Sequence, residues 1–274
     1  MKFVFIPQKA KARIIARRFI GGSNRVGIHS RADPRGVLSP EDIGVFYGVN
    51  DQTLPLFRRL CKENRAVYLD NGWMVDQKIR TFRWSWNGLQ AHYDTLDPDP
   101  AKLRRIGTFM GVDPIKPLHE TNNILIVLQS EQYFQWFTPE TSRRKWLSGV
   151  VAQARAAGFT PVIREKPSPK DPRRNTLDEV LSHMRAVVSY NSAVSVRAMC
   201  RGLPVIATGP STLNAMFPRE IPPIDELVTP TPKAVHGFLS RLVHGEFTVE
   251  DLLSGEIIKE IAHVNPDRRY GISP

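Results

Sequence analysis

Residues 185–211 read RAVVSYNSAVSVRAMCRGLPVIATGPS. Within them, 186–190 form a short apolar run rich in β-branched side chains, the pattern of a buried strand. Asn191 and Ser192 follow, and Ser192 is a favoured N-cap for a small-residue helix over 193–201. Gly202 stands where a helix C-cap glycine would, and 203–207 (LPVIA) reads as a second buried strand. Two strands joined by one short helix make a βαβ unit, and open α/β sheets bind ligands beyond the carboxyl ends of their strands. That edge carries Ser189, Asn191, Ser192, Ala193 and Ser195 beside Tyr190. It also carries the exposed N–H groups of a helix start, which attract phosphate through dipole and hydrogen bonds. The expectation is a nucleotide diphosphate site. An ordinary buried βαβ unit with a serine cap is the other reading, because fold does not imply function.

The segments before this unit repeat the alternation. Residues 123–128 (NILIVL) read as a strand and 129–138 as a polar and aromatic loop. Residues 139–157 read as a helix with Trp146, Leu147, Val150, Val151 and Ala154 on one face. Gly158 closes that helix, 160–163 is a strand, 164–175 a basic loop and 177–184 a helix. The order predicts a doubly wound parallel sheet. Arg164 and Lys166 fall at the carboxyl end of strand 160–163, on the same edge as Ser189 and Ser192. A guanidinium fork matches phosphate oxygens and a lysine adds a point charge, so these cations suit a diphosphate. A solvated basic loop is the alternative.

The first half has its own α/β pattern. Residues 2–6 (KFVFI) are a strand ended by Pro7, and 9–20 a helix with Ala12, Ile15, Ala16 and Phe19 on one side. Gly21-Gly22-Ser23-Asn24 reads as a glycine-rich turn without P-loop spacing. Strand 43–47, helix 53–63 and strand 66–69 follow, the last ending at Asp70-Asn71-Gly72-Trp73. Residues 74–122 are less regular, with an aromatic island RWSWNGLQ at 83–90, a short helix over 100–111 and a connector over 111–121. After Pro218 come helices 233–243 and 249–260. The expected division is 1–114 and 115–240, with 241–274 crossing back to the first domain.

The chain of 274 residues is long enough for two modest cores. No apolar run approaches the roughly 20 residues of a membrane span, and the N-terminus lacks a secretory pattern. Cys61 and Cys200 are the two cysteines, which argues against a disulfide framework and against a zinc site without histidines; a cytoplasmic location is expected. Net charge is +11, and within residues 1–40 Lys2, Lys9, Lys11, Arg13, Arg17, Arg18, Arg25, Arg31 and Arg35 stand against Asp33 alone. Such a stripe suits a polyanion, either nucleic acid or a membrane surface, or is a solvated helix face. Trp73, Trp84 and Trp86, with Arg80 and Arg83, suit stacking on a displaced base. Alternating aromatics equally suit a strand with one ring in the core. Asp97-Pro98-Asp99 has the look of a metal-binding Asp-x-Asp, but its proline-rich setting reads as a loop and helix start, and no metal site is expected.

The second half resembles the donor domain of GT-B glycosyltransferases. The residues that carry the likeness are a strand, then Ser192-Ala193-Val194-Ser195-Val196-Arg197-Ala198, then Gly202-Leu203-Pro204-Val205-Ile206. The order of further motifs is similar to compact glycosyltransferases of phage genomes. These are Phe46-Tyr47-Gly48, Tyr68-Leu69-Asp70-Asn71-Gly72, Phe82-Arg83-Trp84-Ser85-Trp86-Asn87, Arg164-Glu165-Lys166-Pro167 and the tail Gly245-Glu246-Phe247-Thr248-Val249-Glu250-Asp251 with Gly255. A related pattern occurs in bacterial capsule-type sugar transferases. The likeness spans most of residues 42–256.

The resemblance implies two Rossmann-like α/β domains facing a cleft. It implies metal-independent, inverting transfer from a nucleotide diphosphate sugar, a UDP-sugar, with no other cofactor. Arg164, Lys166, Ser189, Asn191, Ser192, Ala193 and Ser195 would hold the donor. Inverting transfer needs a base for the acceptor hydroxyl; Asp70 fills that role first, with His92 and Asp94 in reserve. The acceptor would be a hydroxymethylated pyrimidine in double-stranded phage DNA, contacted by Lys9, Lys11, Arg13, Arg17, Arg18, Arg83, Trp84 and Trp86. A surface glycan is the alternative acceptor, and a non-catalytic DNA-binding protein the reading from another class. One departure stands out: many GT-B enzymes place an acidic residue on the ribose where this chain has Arg197.

Overall fold

The computed structural model describes residues 2–7, 10–74, 81–89, 96–107, 121–165 and 176–263. In chain order the elements begin β1 (Lys2–Phe5), α1 (Ala10–Arg25), β2 (Ser30–Ala32), β3 (Asp42–Tyr47), α2 (Leu54–Lys62), β4 (Ala66–Asn71), β5 (Phe82–Trp86) and α3 (Pro100–Gly107). There follow β6 (Asn123–Val127), α4 (Glu131–Phe137), α5 (Arg143–Ala156), β7 (Thr160–Arg164), α6 (Leu177–Leu181), β8 (Ala186–Ser189), α7 (Ala193–Cys200), β9 (Val205–Ala207) and α8 (Pro232–Leu242). The described chain closes with β10 (Glu246–Phe247), α9 (Val249–Ser254) and α10 (Glu256–His263). Two compact units result: residues 1–109 with 240–274, and residues 110–239.

In the first unit the sheet order is β10-β5-β4-β3-β1-β2. β2, β1, β3 and β4 run parallel, whereas β5 is antiparallel to β4, and β10 to β5. Strand alternation sorts the side chains. Val67 and Leu69 face the same way as their partners Trp86 and Trp84, into a core shared with Ile15, Phe19, Leu252 and Ile258. Tyr68 and Asp70 face the other way with Ser85 and Arg83.

In the second unit β7-β6-β8-β9 is wholly parallel. Ile124, Ile126, Val188 and Ile206 pack with Trp146, Val150 and Ala154 of α5, as the helical face expected there requires. Because β6 leads outward to β7 and the chain then crosses back to β8, the strand order reverses between β6 and β8. A crevice at the carboxyl ends of these two strands is where such sheets bind ligands.

Three local readings are corrected. Gly21-Gly22-Ser23-Asn24 is not a turn but the last stretch of α1. A Cβ on Gly22 would lie 2.0 Å from the Leu252 carbonyl oxygen, so the glycine serves close helix packing against α9. Residues 131–137, read as loop, form α4, whose N-cap Ser130 accepts the Tyr133 N–H. The expected helix 249–260 is two helices, divided at Gly255 with φ +85°.

Candidate functional site

β8 ends at Ser189, and Tyr190-Asn191-Ser192 turn the chain into α7. Ser192 is extended (φ −133°, ψ 139°), and its hydroxyl accepts the Val194 N–H at 3.3 Å. The Ala193 amide, first of the helix, is left pointing out of its positive end. The turn is held from behind. Tyr190 is buried against Phe134, Trp146 and Tyr133 at ring separations of 4.9, 5.9 and 5.9 Å, and burial pushes its phenol up to about 12. A Cβ on Gly209 would lie 2.4 Å from that ring, so only glycine leaves it room.

Asn191 is buried, and its Nδ2 donates to the Tyr133 hydroxyl at 3.1 Å across the β6–β8 crevice. Its Oδ1 is buried without a partner. Turning the amide about its terminal torsion lets Oδ1 accept the tyrosine O–H and presents Nδ2 as a donor, the arrangement an arriving anion favours. Arg164, Val127 and Ser189 form one row across β7, β6 and β8, so Arg164 ends its strand on the same edge as the α7 turn. Two strand spacings separate it from Ser189, roughly 10 Å. Lys166 lies outside the described residues.

Two expected ligand contacts are corrected. Ser189 and Ser195 are fully buried and their hydroxyls bond each other at 2.8 Å, which fastens α7 to β8 and withdraws both from a ligand. Arg197 is held by Asp178 through paired contacts of 3.0 and 2.6 Å, and Arg201 joins at 3.0 Å. The Arg197 hydrogen bond holds the Asp178 carboxyl below its ordinary range. A carboxylate therefore stands beside this face of α7, supplied by α6 rather than by α7.

In the other unit Asp70 lies in β4 and its carboxylate is one-third exposed. Oδ1 accepts the Asn71 N–H at 2.7 Å, and Oδ2 faces Arg83 Nη2 at 3.2 Å and the Tyr68 hydroxyl at 3.4 Å. The Arg83 guanidinium lies 4.3 Å from the Trp73 ring centre. Beside them, Lys11 Nζ and the Tyr47 hydroxyl both donate to Asn71 Oδ1, at 3.2 and 3.1 Å. His92 and Asp94, the reserves for Asp70, and Arg80 lie outside the described residues.

The nucleic-acid face is reduced accordingly. Trp84 and Trp86 are buried under α1 and α10, and Trp73 is buried over Arg83, so none offers a ring to a displaced base. Arg83 donates to Asp70 and the exposed Lys11 to Asn71, which places both in the strand-end cluster. Arg13 and Arg17 are exposed on α1, Arg18 is half-buried, and Lys9 is outside the described residues. Asp99 starts α3 by accepting the Lys102 N–H at 2.8 Å. Among the described residues no group of three or more His, Cys, Asp or Glu could hold a metal ion, and no helix is long and apolar enough to cross a membrane. Burial pushes the Cys61 and Cys200 thiols up to about 12.

Sequence reasoning placed Glu246 in the tail motif of the family likeness but gave it no role, and it missed α4. The Glu246 contact had no local signal, because the backbone it binds is 173 residues away. For α4, the serine cap before an aromatic run was the available cue.

No family model matches the chain, and no curated protein matches it in sequence. A solved structure of Thermosulfurimonas dismutans KpsC, a β-Kdo 2,7 transferase, is similar with a TM-score of 0.56 at 13% identity. The match covers 94% of this chain and 100% of that one, so the two share a fold. A second structure, T. dismutans KpsC β-Kdo 2,4 transferase, aligns with a TM-score of 0.49 at 10% identity, covering 87% of this chain and 89% of the other.

Proposed function

We propose that the chain is a glycosyltransferase that binds a nucleotide diphosphate sugar at the α7 turn of the unit 110–239. The observation that carries this reading is the meeting, on one carboxyl edge, of a capped helix start, the unpartnered Asn191 amide oxygen and the strand-end Arg164. The fold shared with a KpsC sugar transferase supports it. In the proposed reaction an acceptor oxygen attacks the anomeric carbon as the bond to the diphosphate breaks. The electron pair leaves with the nucleotide diphosphate, stabilised by the α7 amides and Arg164. The acceptor proton passes to the Asp70 carboxylate, and attack from the face opposite the leaving group inverts the anomeric centre. Arg164→Ala should abolish transfer while leaving acceptor binding intact; equal loss of both would count against the assignment.

Two acceptors fit. A saccharide hydroxyl is favoured by the buried tryptophans, which offer nothing to a flipped base, and by the sugar-transferase fold. A hydroxymethyl group on DNA is favoured by the exposed Arg13 and Arg17 of α1. Salt separates them. Binding to DNA through several phosphates falls steeply with ionic strength, whereas binding of a neutral glycan is indifferent to it.

A further inference from the structure

Asp70, Arg83 and Glu246 are register partners across β4, β5 and β10, so the three side chains stand in one row on one face of the sheet. Glu246 arrives on β10, the last strand among the described residues, and is fully buried. Its Oε1 accepts the Trp73 N–H at 2.7 Å. A Cβ on Gly72 would lie 2.1 Å from both Glu246 Oε2 and Thr81 Oγ1, so the turn after Asp70 is wrapped tightly around this carboxyl. Trp73, whose amide is thus fixed, lies over the Arg83 guanidinium, and Arg83 holds Asp70.

We propose that Glu246 is a positioning residue for the Asp70 centre, pinning the 72–74 turn so that Trp73 and Arg83 present the Asp70 carboxylate, and that it does so while protonated. The inference rests on the reading of Asp70 as the base. The protonated form follows from donors and acceptors. Oε2 is buried without a hydrogen-bond partner, and the Thr81 hydroxyl beside it donates to the Met74 carbonyl at 2.7 Å. An Oε2–H has the Thr81 oxygen beside it to turn to, whereas a bare carboxylate oxygen there is left unpaired, which is costly in the interior. Burial acts in the same direction and pushes the carboxyl up to about 7, against the backbone hydrogen bonds of Trp73 and Met74 and the nearby Arg83 charge. Of the other ionisable groups on this face, Arg83 stands beside Glu246, Asp70 is paired with Arg83, and the Tyr68 hydroxyl donates to Asp70.

Glu246→Gln retains the Trp73 contact and supplies a permanent donor to Thr81. Glu246→Ala removes both. With the full-length protein, the Trp73 amide and indole resonances followed by NMR from pH 5 to 9 should shift with a midpoint near neutrality in the wild type. In Glu246→Gln they should stay flat and at the low-pH position. A wild-type Trp73 that does not titrate, or one that titrates unchanged in Glu246→Gln, overturns the inference whether or not a substrate has been found. In transfer assays, wild-type kcat should fall as pH rises through neutrality, Glu246→Gln should keep its rate across that range, and a folded Glu246→Ala should lose at least tenfold at every pH with KM for the donor unchanged. A folded Glu246→Ala of full rate also overturns the inference. Absence of transfer by the wild type, with Trp73 behaving as described, instead overturns the assigned reaction.

Discussion

Glu246 bears on stability as well as on the candidate centre. In the unfolded chain its carboxyl ionises at its ordinary value of 4.5, whereas the folded protein holds the proton to about 7. Between these values the folded state binds more protons than the unfolded at this group, so its contribution to stability is fully present below the lower value and is lost as pH rises to the upper one. The loss is on the order of 3 kcal/mol. Denaturant melts at pH 5 and pH 8 should show this decline in the wild type and a much smaller one in Glu246→Gln. At the α7 turn, Asn191→Ala should weaken nucleotide diphosphate binding by roughly tenfold or more, the scale of a hydrogen bond to a charged group, as read by calorimetry. Ser192 was legible in the sequence because capping is local chemistry, settled within three residues. Glu246 was not, because nothing near it in the chain hints at a backbone amide in another strand connection. Ser189 and Ser195 were legible as neighbours of the turn but not as partners of each other. Both reach the interior, and only the packing of α7 on β8 decides which way a small hydroxyl points.

Among the elements, α1 and α9 supply the sharpest test of packing. Gly22 and Gly255 meet back to back: a Cβ on Gly255 would lie 2.5 Å from the Gly22 carbonyl oxygen. Gly22→Ala forces two helices apart, and overpacking of this kind costs about 1–3 kcal/mol. At Gly21, one residue away, an added methyl would have nothing within 4 Å of it. Thermal melts should therefore show a lowered midpoint for Gly22→Ala, and an unchanged or slightly raised one for Gly21→Ala, since alanine is the better helix former. Equal behaviour of the two would refute the packing account. This pair also shows why the glycine-rich tetrad misled: local propensity reads Gly-Gly as a turn, whereas here close approach of a distant helix demands it. The aromatic alternation at 82–86 was legible as a strand, but not which face would be covered. The helices that bury Trp84 and Trp86 come from both ends of the chain.

Across the whole molecule, the parallel sheets of both units follow from alternating apolar runs and capped helices, which is why that much of the fold was legible. The mixed edge of the first sheet was not, since β10 is two residues long and carries a buried acid where a strand pattern expects an apolar side chain. The net charge of +11 gives the acceptor question a bulk test. If DNA is the acceptor, replacing both Arg13 and Arg17 with alanine should reduce affinity at low salt and shallow the slope of log K against log salt by about two. An unchanged slope would favour a saccharide. The central claim, sugar transfer from a nucleotide donor, is tested most directly by mass spectrometry of hydroxymethylated DNA and of a glycan panel after incubation with the protein and a set of sugar nucleotides. The account predicts that one acceptor gains the mass of one sugar and that the gain disappears with Arg164→Ala. No mass gain on any acceptor, or an undiminished gain with Arg164→Ala, would contradict it.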